Sequence, residues 1–163
     1  MLSNQKVLLG VALLALFLAA CGRGGQPQLP SSDYSLHIDA KKHINNAPEA
    51  VVHHYCKTLT EQVIQCLLFD DDALKAKLIG VETVISPQLY AALPDAEKPN
   101  WHYHRTEIPQ VEATLPGLSE KEAQEVVDSL METYGKVIIF WEPGDAVPID
   151  ISITRPASGD NRR

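Results

Sequence analysis

The 163-residue chain is 45% apolar with a formal net charge of −7, enough apolar side chains for one core of ordinary size. Its acid excess excludes a nucleic-acid binder. Neutralising phosphates takes a basic patch, and no Lys/Arg run longer than a pair occurs, with Arg105 lying among histidines and Arg162-Arg163 at the terminus. There is no internal repeat, phosphate loop, dinucleotide fingerprint or G-x-S-x-G elbow.

Lys6 precedes the small-and-apolar run Val7 to Ala20, 14 residues that are too few to span a bilayer of about 30 Å as a helix. The run reads as a signal peptide. It ends Leu18-Ala19-Ala20-Cys21-Gly22, which resembles the lipobox of bacterial lipoproteins, where cleavage precedes a diacylated cysteine. Cys21 is then the lipid attachment site, and acyl chains contribute about 0.8 kcal/mol per buried methylene to membrane anchoring. By the same resemblance, Gly22 in place of aspartate favours the outer membrane, facing the periplasm. Removing residues 1–20 takes away Lys6 and no acid, leaving 13 basic and 21 acidic residues, net −8. The Gly-, Pro- and Ser-rich stretch that follows is a tether, about 20 Å end to end over twelve flexible residues.

Tyr34 to Asn46 shows no clean periodicity and is expected to be irregular, closed by Pro48. Ala50 to Phe69 predicts a β-hairpin turning at Glu61. This register sets Cys56 opposite Cys66, His54 opposite Leu68, and His53 and Tyr55 opposite Phe69 and Leu67. Asp70-Asp71-Asp72 reads as a solvated acidic turn. Lys75 to Ile85 predicts a third strand, with Glu82 and Val84 on one face and Thr83 and Ile85 on the other. Ser86-Pro87 starts a short helix that Pro94 ends. Trp101 to Arg105 is expected to run extended, with His102 and His104 on one side.

Ser119 to Tyr134 predicts a long amphipathic helix. Ser119 and Glu122 have capping-box spacing, Ala123, Val126, Val127, Leu130, Met131 and Tyr134 form one stripe, and Gly135 follows as the C′ residue. Lys136 to Trp141 reads as a buried strand, Pro143-Gly144 as a type II turn, and Val147 to Ile153 as an edge strand. The fold class is therefore α+β, a mainly antiparallel sheet with one long amphipathic helix and one short helix. The divisions are signal peptide 1–20, acylated cysteine and tether 21–34, a single domain 35–153, and a polar tail 154–163.

The motifs His53-His54-Tyr55-Cys56, Gln65-Cys66, Leu78-Ile79-Gly80-Val81-Glu82, Leu93-Pro94, Trp101-His102-x-His104, Tyr134-Gly135-Lys136 and Gly144-Asp145-Ala146-x-Pro148 together resemble the oil body-associated protein family, over roughly residues 36–150. The resemblance implies association with a lipid surface. It carries no reaction, cofactor or catalytic residue.

Three readings of the cysteines and histidines stand open. Cys56 and Cys66 form a disulfide in an oxidising compartment; or His54, Cys56, Cys66, His102 and His104 converge on a transition metal such as zinc, reduced by a disulfide to His54, His102, His104 and Glu82; or the histidines satisfy local hydrogen bonds and the cysteines are buried filler. The expected function is a membrane-anchored periplasmic lipoprotein that binds a lipid surface or an envelope partner. The alternative is a metal-binding protein or metal-dependent enzyme using the histidine cluster.

Overall fold

The structure, a computed structural model, describes residues 31–148 and 151–154. The signal peptide, Cys21 and most of the tether lie outside the described residues, as does the tail beyond Thr154. Among the described residues no helix is long and apolar enough to cross a membrane.

A single antiparallel sheet dominates. Its strands are β1 (Leu36–Ala40), β2 (Val52–Thr60), β3 (Val63–Phe69), β4 (Leu78–Ile85), β5 (His102–Tyr103), β6 (Tyr134–Ile139) and β7 (Ser152–Thr154). The order across the sheet is β1-β2-β3-β4-β6, and two short strands share the far edge of β6. There β5 pairs with Tyr134 and Gly135, and β7 with Val137 to Ile139.

The hairpin forms in the expected register, Cys56 opposite Cys66 and His54 opposite Leu68. Because directly opposed residues share a face, the ladder aligns Leu36, Cys56, Cys66, Glu82 and Val137 in one row. The next row on one side is Ile38, His54, Leu68, Gly80 and Ile139; on the other it is Thr58, Ile64, Val84, Gly135 and His102. This face is the core. Val52, Cys56, Cys66, Leu68, Val137 and Ile139 are buried on it, with Ile44 packed from the loop after β1.

Several expectations are corrected. The segment expected to be irregular contains β1, whose Leu36, Ile38 and Ala40 alternate too briefly to signal a strand, but whose backbone completes the edge of β2. The third strand begins at Leu78. The preceding turn is held by Asp70, which accepts from the Lys77 amide, and by Asp71, which accepts from the Ala73 amide. The short helix, α1 (Pro87–Ala91), starts where expected, Ser86 accepting from the Leu89 amide.

The extended run from Trp101 stops at Tyr103, and a turn of helix, α2 (His104–Glu107), follows. The long amphipathic helix is not present. Its capping box at Ser119 and Glu122 forms, but α3 (Glu120–Leu130) has 11 residues, none of them buried. Tyr134 and Gly135 lie in β6 instead, because β4 supplies partners for their backbone. Pro143-Gly144 makes the expected turn, closed by the Asp145 amide on the Glu142 carbonyl, with Gly144 at φ 93°. The last strand shrinks to β7, leaving Val147 and Ile151 exposed.

Cys56 and Cys66 are bonded as a disulfide across β2 and β3. Closing a loop of this size removes denatured-state entropy equivalent to roughly 2.5–3 kcal/mol. Replacing both cysteines by alanine should lower the urea midpoint by an amount corresponding to that energy, with native far-UV circular dichroism retained. An unchanged midpoint would show that the bridge does not constrain the unfolded chain.

Candidate metal centre

Glu82 projects from the middle of the sheet into the apolar face, one position from the disulfide in the same row. Its side chain is buried, and so are His54 on β2, His102 on β5, His104 at the start of α2, and His43 in the loop after β1. The structure brings together all four sequence-derived residues. His102 Nε2 is 3.3 Å and His104 Nε2 3.4 Å from Glu82 Oε1, and His54 Nε2 is 3.7 Å from Oε2. Cys56 and Cys66 lie beside this group, but their disulfide removes the thiolates from any ligand set.

Two members escaped the sequence reading. Glu107 enters because α2 turns the chain inward after Tyr103; its Oε2 is 2.8 Å from His102 Nε2 and its Oε1 is 3.8 Å from His43 Nε2. His43 enters because Lys42 adopts φ 65° and reverses the chain after β1, seating Ile44 and His43 over the sheet. The i, i+3 spacing of His104 and Glu107 was the available signal, and it requires a helical turn where the sequence suggested a strand.

Gly135 explains how His102 reaches Glu82 from an edge strand. Residue 135 stands between them in the sheet, and a Cβ there would collide with both the His102 ring and the Glu82 carboxylate. The glycine is a gap that the imidazole fills.

The outer ring nitrogens are held. His43 Nδ1 donates to the Lys41 carbonyl at 2.9 Å, and His54 Nδ1 to the Val52 and Ile38 carbonyls at 3.0 and 3.2 Å. The Thr133 hydroxyl spends its proton on the Leu130 carbonyl, so His104 Nδ1 donates to Thr133 Oγ1 at 2.7 Å. With Nδ1 so engaged, each of these histidines turns Nε2 towards a carboxylate. Such contacts repel unless a proton or a cation lies between. His102 Nε2 is close enough to Glu107 for an ion pair, yet the oxygen lies off the N–H direction, so no aligned hydrogen bond forms.

Burial pushes the His54 imidazole down to about 4, helped by His43. Burial also opposes charge on His102, but Glu107 and Glu82 overcome it and raise that ring to about 10. Burial likewise opposes ionisation of Glu82 and Glu107; contacts with His102, and for Glu82 also His104, hold both carboxyls below their ordinary range.

A cavity of about 60 Å³ adjoins the group, lined by His43, His54, Glu82, His104 and Glu107 and walled by Leu36, Ile38, Ile64, Val111, Leu115, Val127 and Leu130. The segment before α3 closes it. Thr114 bridges to Asp39, and the Val111 carbonyl accepts from the Lys41 amide. On the reverse face of the sheet a shallower trio gathers, His37 Nε2 and His53 Nδ1 at 2.8 and 2.7 Å from Asp39 Oδ1, with Tyr55 stacked on His37.

Fold and site together describe a mainly antiparallel sheet protein with a buried histidine–carboxylate centre. The chain belongs to the family described as protein of unknown function (DUF1264), whose model matches residues 28–155. It is 42% identical over 101 residues to oil body-associated protein 1A of Zea mays, covering 61% of this chain and 42% of that protein. It is 36% identical over 107 residues to oil body-associated protein 1B of Arabidopsis thaliana, covering 64% and 44%, and 30% identical over 124 residues to Arabidopsis protein 2A, covering 74% and 50%. These matches span half or less of the length of those relatives. No solved structure matches the chain.

Gly135→Ala should destabilise the protein by about 1–3 kcal/mol through overpacking, read as a lower thermal midpoint, whereas alanine at an open strand glycine would be tolerated. A wild-type midpoint would contradict the packing of His102 over Gly135. Separately, the depressed His54 pKa makes the unfolded chain take up the proton first. Its contribution, roughly 3 kcal/mol, is present above about pH 6.5 and lost as pH falls towards 4. In EDTA, His54→Gln should flatten that part of the stability profile; an unaltered profile would refute the assignment.

Proposed function

We propose that this protein is a metal-binding protein whose buried centre takes a divalent first-row transition ion such as zinc through His43, His54, His102, His104, Glu82 and Glu107. The observation that carries the reading is the convergence of the Nε2 atoms of His43, His54, His102 and His104 on two buried carboxylates, with Nδ1 of His43, His54 and His104 each held by an outer hydrogen bond. Metal-ligating histidines carry this kind of outer-shell bond, which sets the tautomer and the ring orientation. Mixed imidazole and carboxylate donors without thiolate suit zinc, iron, manganese or copper. A bound ion would coordinate these Nε2 atoms and offset the charge of the two carboxylates. The apolar wall beside it would keep bulk water from the ion.

Protein purified without chelators should carry metal in at least equimolar amount by inductively coupled plasma mass spectrometry. EDTA should lower its thermal midpoint and zinc chloride should restore it. Metal-free protein whose midpoint does not respond to zinc would refute the proposal.

A second reading concerns location, and its support is the lipobox at Leu18-Ala19-Ala20-Cys21 together with relatives named for oil bodies. In it, acylated Cys21 anchors the domain to a membrane, with the outer membrane facing the periplasm as its site and a lipid or envelope partner within reach. In a bacterial host, radiolabelled palmitate should enter the wild-type chain and not Cys21→Ser; labelling of neither would overturn the anchor.

A further inference from the structure

The buried donors divide into two sets that meet at the carboxylates. One ligand atom each from His43, His54 and Glu82 lie within 4.8 Å of one another, and so do those of Glu82, His102 and His104. Glu82 belongs to both sets and offers a different oxygen to each. Oε2 faces His54 at 3.7 Å, while Oε1 faces His102 at 3.3 Å and His104 at 3.4 Å. Glu107 repeats the division from the opposite wall, with Oε1 towards His43 at 3.8 Å and Oε2 towards His102 at 2.8 Å and His104 at 3.9 Å. Each side therefore has two histidines and one oxygen of Glu82, with an oxygen of Glu107 against His43 on one side and against His102 and His104 on the other.

We infer that the centre holds a pair of divalent transition ions, one on His43 and His54 and the other on His102 and His104, with the carboxylates of Glu82 and Glu107 bridging them. This rests on the metal-binding reading above and sharpens it. A carboxylate whose two oxygens face opposite ligand sets is placed to bridge, whereas a single ion would draw its ligands into one shell at about 2.0–2.2 Å. Two ions sharing bridging groups act together on a ligand bound between them, stabilising both ends of a displacement or activating a bound water. The adjoining cavity is lined by members of both sides, His43, His54 and His104 among them, and would receive a ligand shared by the two ions. At about 60 Å³ it admits a ligand of the size of a few waters, since one water needs roughly 10–15 Å³ on this measure. Anything larger requires the cover of Val111, Leu115, Val127 and Leu130 to move.

The test is metal stoichiometry on the full chain carrying Asp39→Asn, a change that disables the His37–Asp39–His53 trio on the reverse face so that an ion held there is not counted. After loading with zinc chloride and gel filtration, two zinc ions per chain are expected. One is expected after His43→Gln with His54→Gln, one after His102→Gln with His104→Gln, and the cobalt(II)-loaded protein should show exchange coupling between paired ions by electron paramagnetic resonance. One zinc per chain in the Asp39→Asn protein, or uncoupled cobalt at full loading, overturns the pair and leaves a single-ion centre standing. No zinc at all overturns the metal-binding reading itself. The count in the Asp39→Asn protein needs no histidine variant to fold.

Discussion

The constraint that organises this molecule is the burial of the Glu82 carboxylate on the apolar face of the sheet. A lone carboxylate in that position would be strongly destabilising and would take up a proton. Here it keeps its charge because His102 from the β5 edge and His104 from the start of α2 close on it, while His54 faces it from β2. Each arrival depends on a backbone device. The sheet register sets His54 and Glu82 in adjacent rows of one face, Gly135 clears a path for His102, and the turn of α2 swings His104 and Glu107 inward.

The disulfide and the cover serve the same site from opposite sides. The Cys56–Cys66 bridge ties the two strands next to Glu82 with an apolar staple, so the wall beside the polar group stays dry while the thiols are removed from coordination. Above it, the strap through Val111 and Thr114 is bound to the β1 edge by backbone hydrogen bonds, and α3 lies over the cavity with Val127 and Leu130 half-buried and none of its residues fully buried. The floor is thus rigid and the roof is lightly held. Local opening is easiest where few apolar contacts are buried, which places any access route at α3 rather than through the sheet.

Much of the frame was legible along the chain because its signals are local. Alternation with a single turn determines the hairpin register, so Cys56 opposite Cys66 and His54 opposite Leu68 follow from counting. The Ser86 and Ser119 caps start their helices where hydroxyl and proline chemistry say they should. The misses are places where tertiary pairing outweighed the local pattern. Tyr134 ends a helical stripe in sequence and Gly135 reads as its C′ residue, yet the β4 edge offers them hydrogen bonds and they become strand. Leu36 to Ala40 has too few residues to declare itself and forms only because β2 lies beside it. His104 interrupts an apparently extended run because its amide is taken by the Thr133 carbonyl, and the chain curls into α2.

By itself, the sequence determined the candidate set, His54, His102, His104 and Glu82, together with the cysteine pair and the antiparallel frame that holds them. Only the tertiary structure decided that these residues meet, that His43 and Glu107 complete them, and that the two carboxylates stand between two pairs of histidines. The reason is one of range. Periodicity and capping act over a few residues, whereas the centre is assembled from segments beginning at residue 43 and ending at residue 107, whose approach is set by sheet order, a positive-φ reversal at Lys42 and the missing side chain of Gly135.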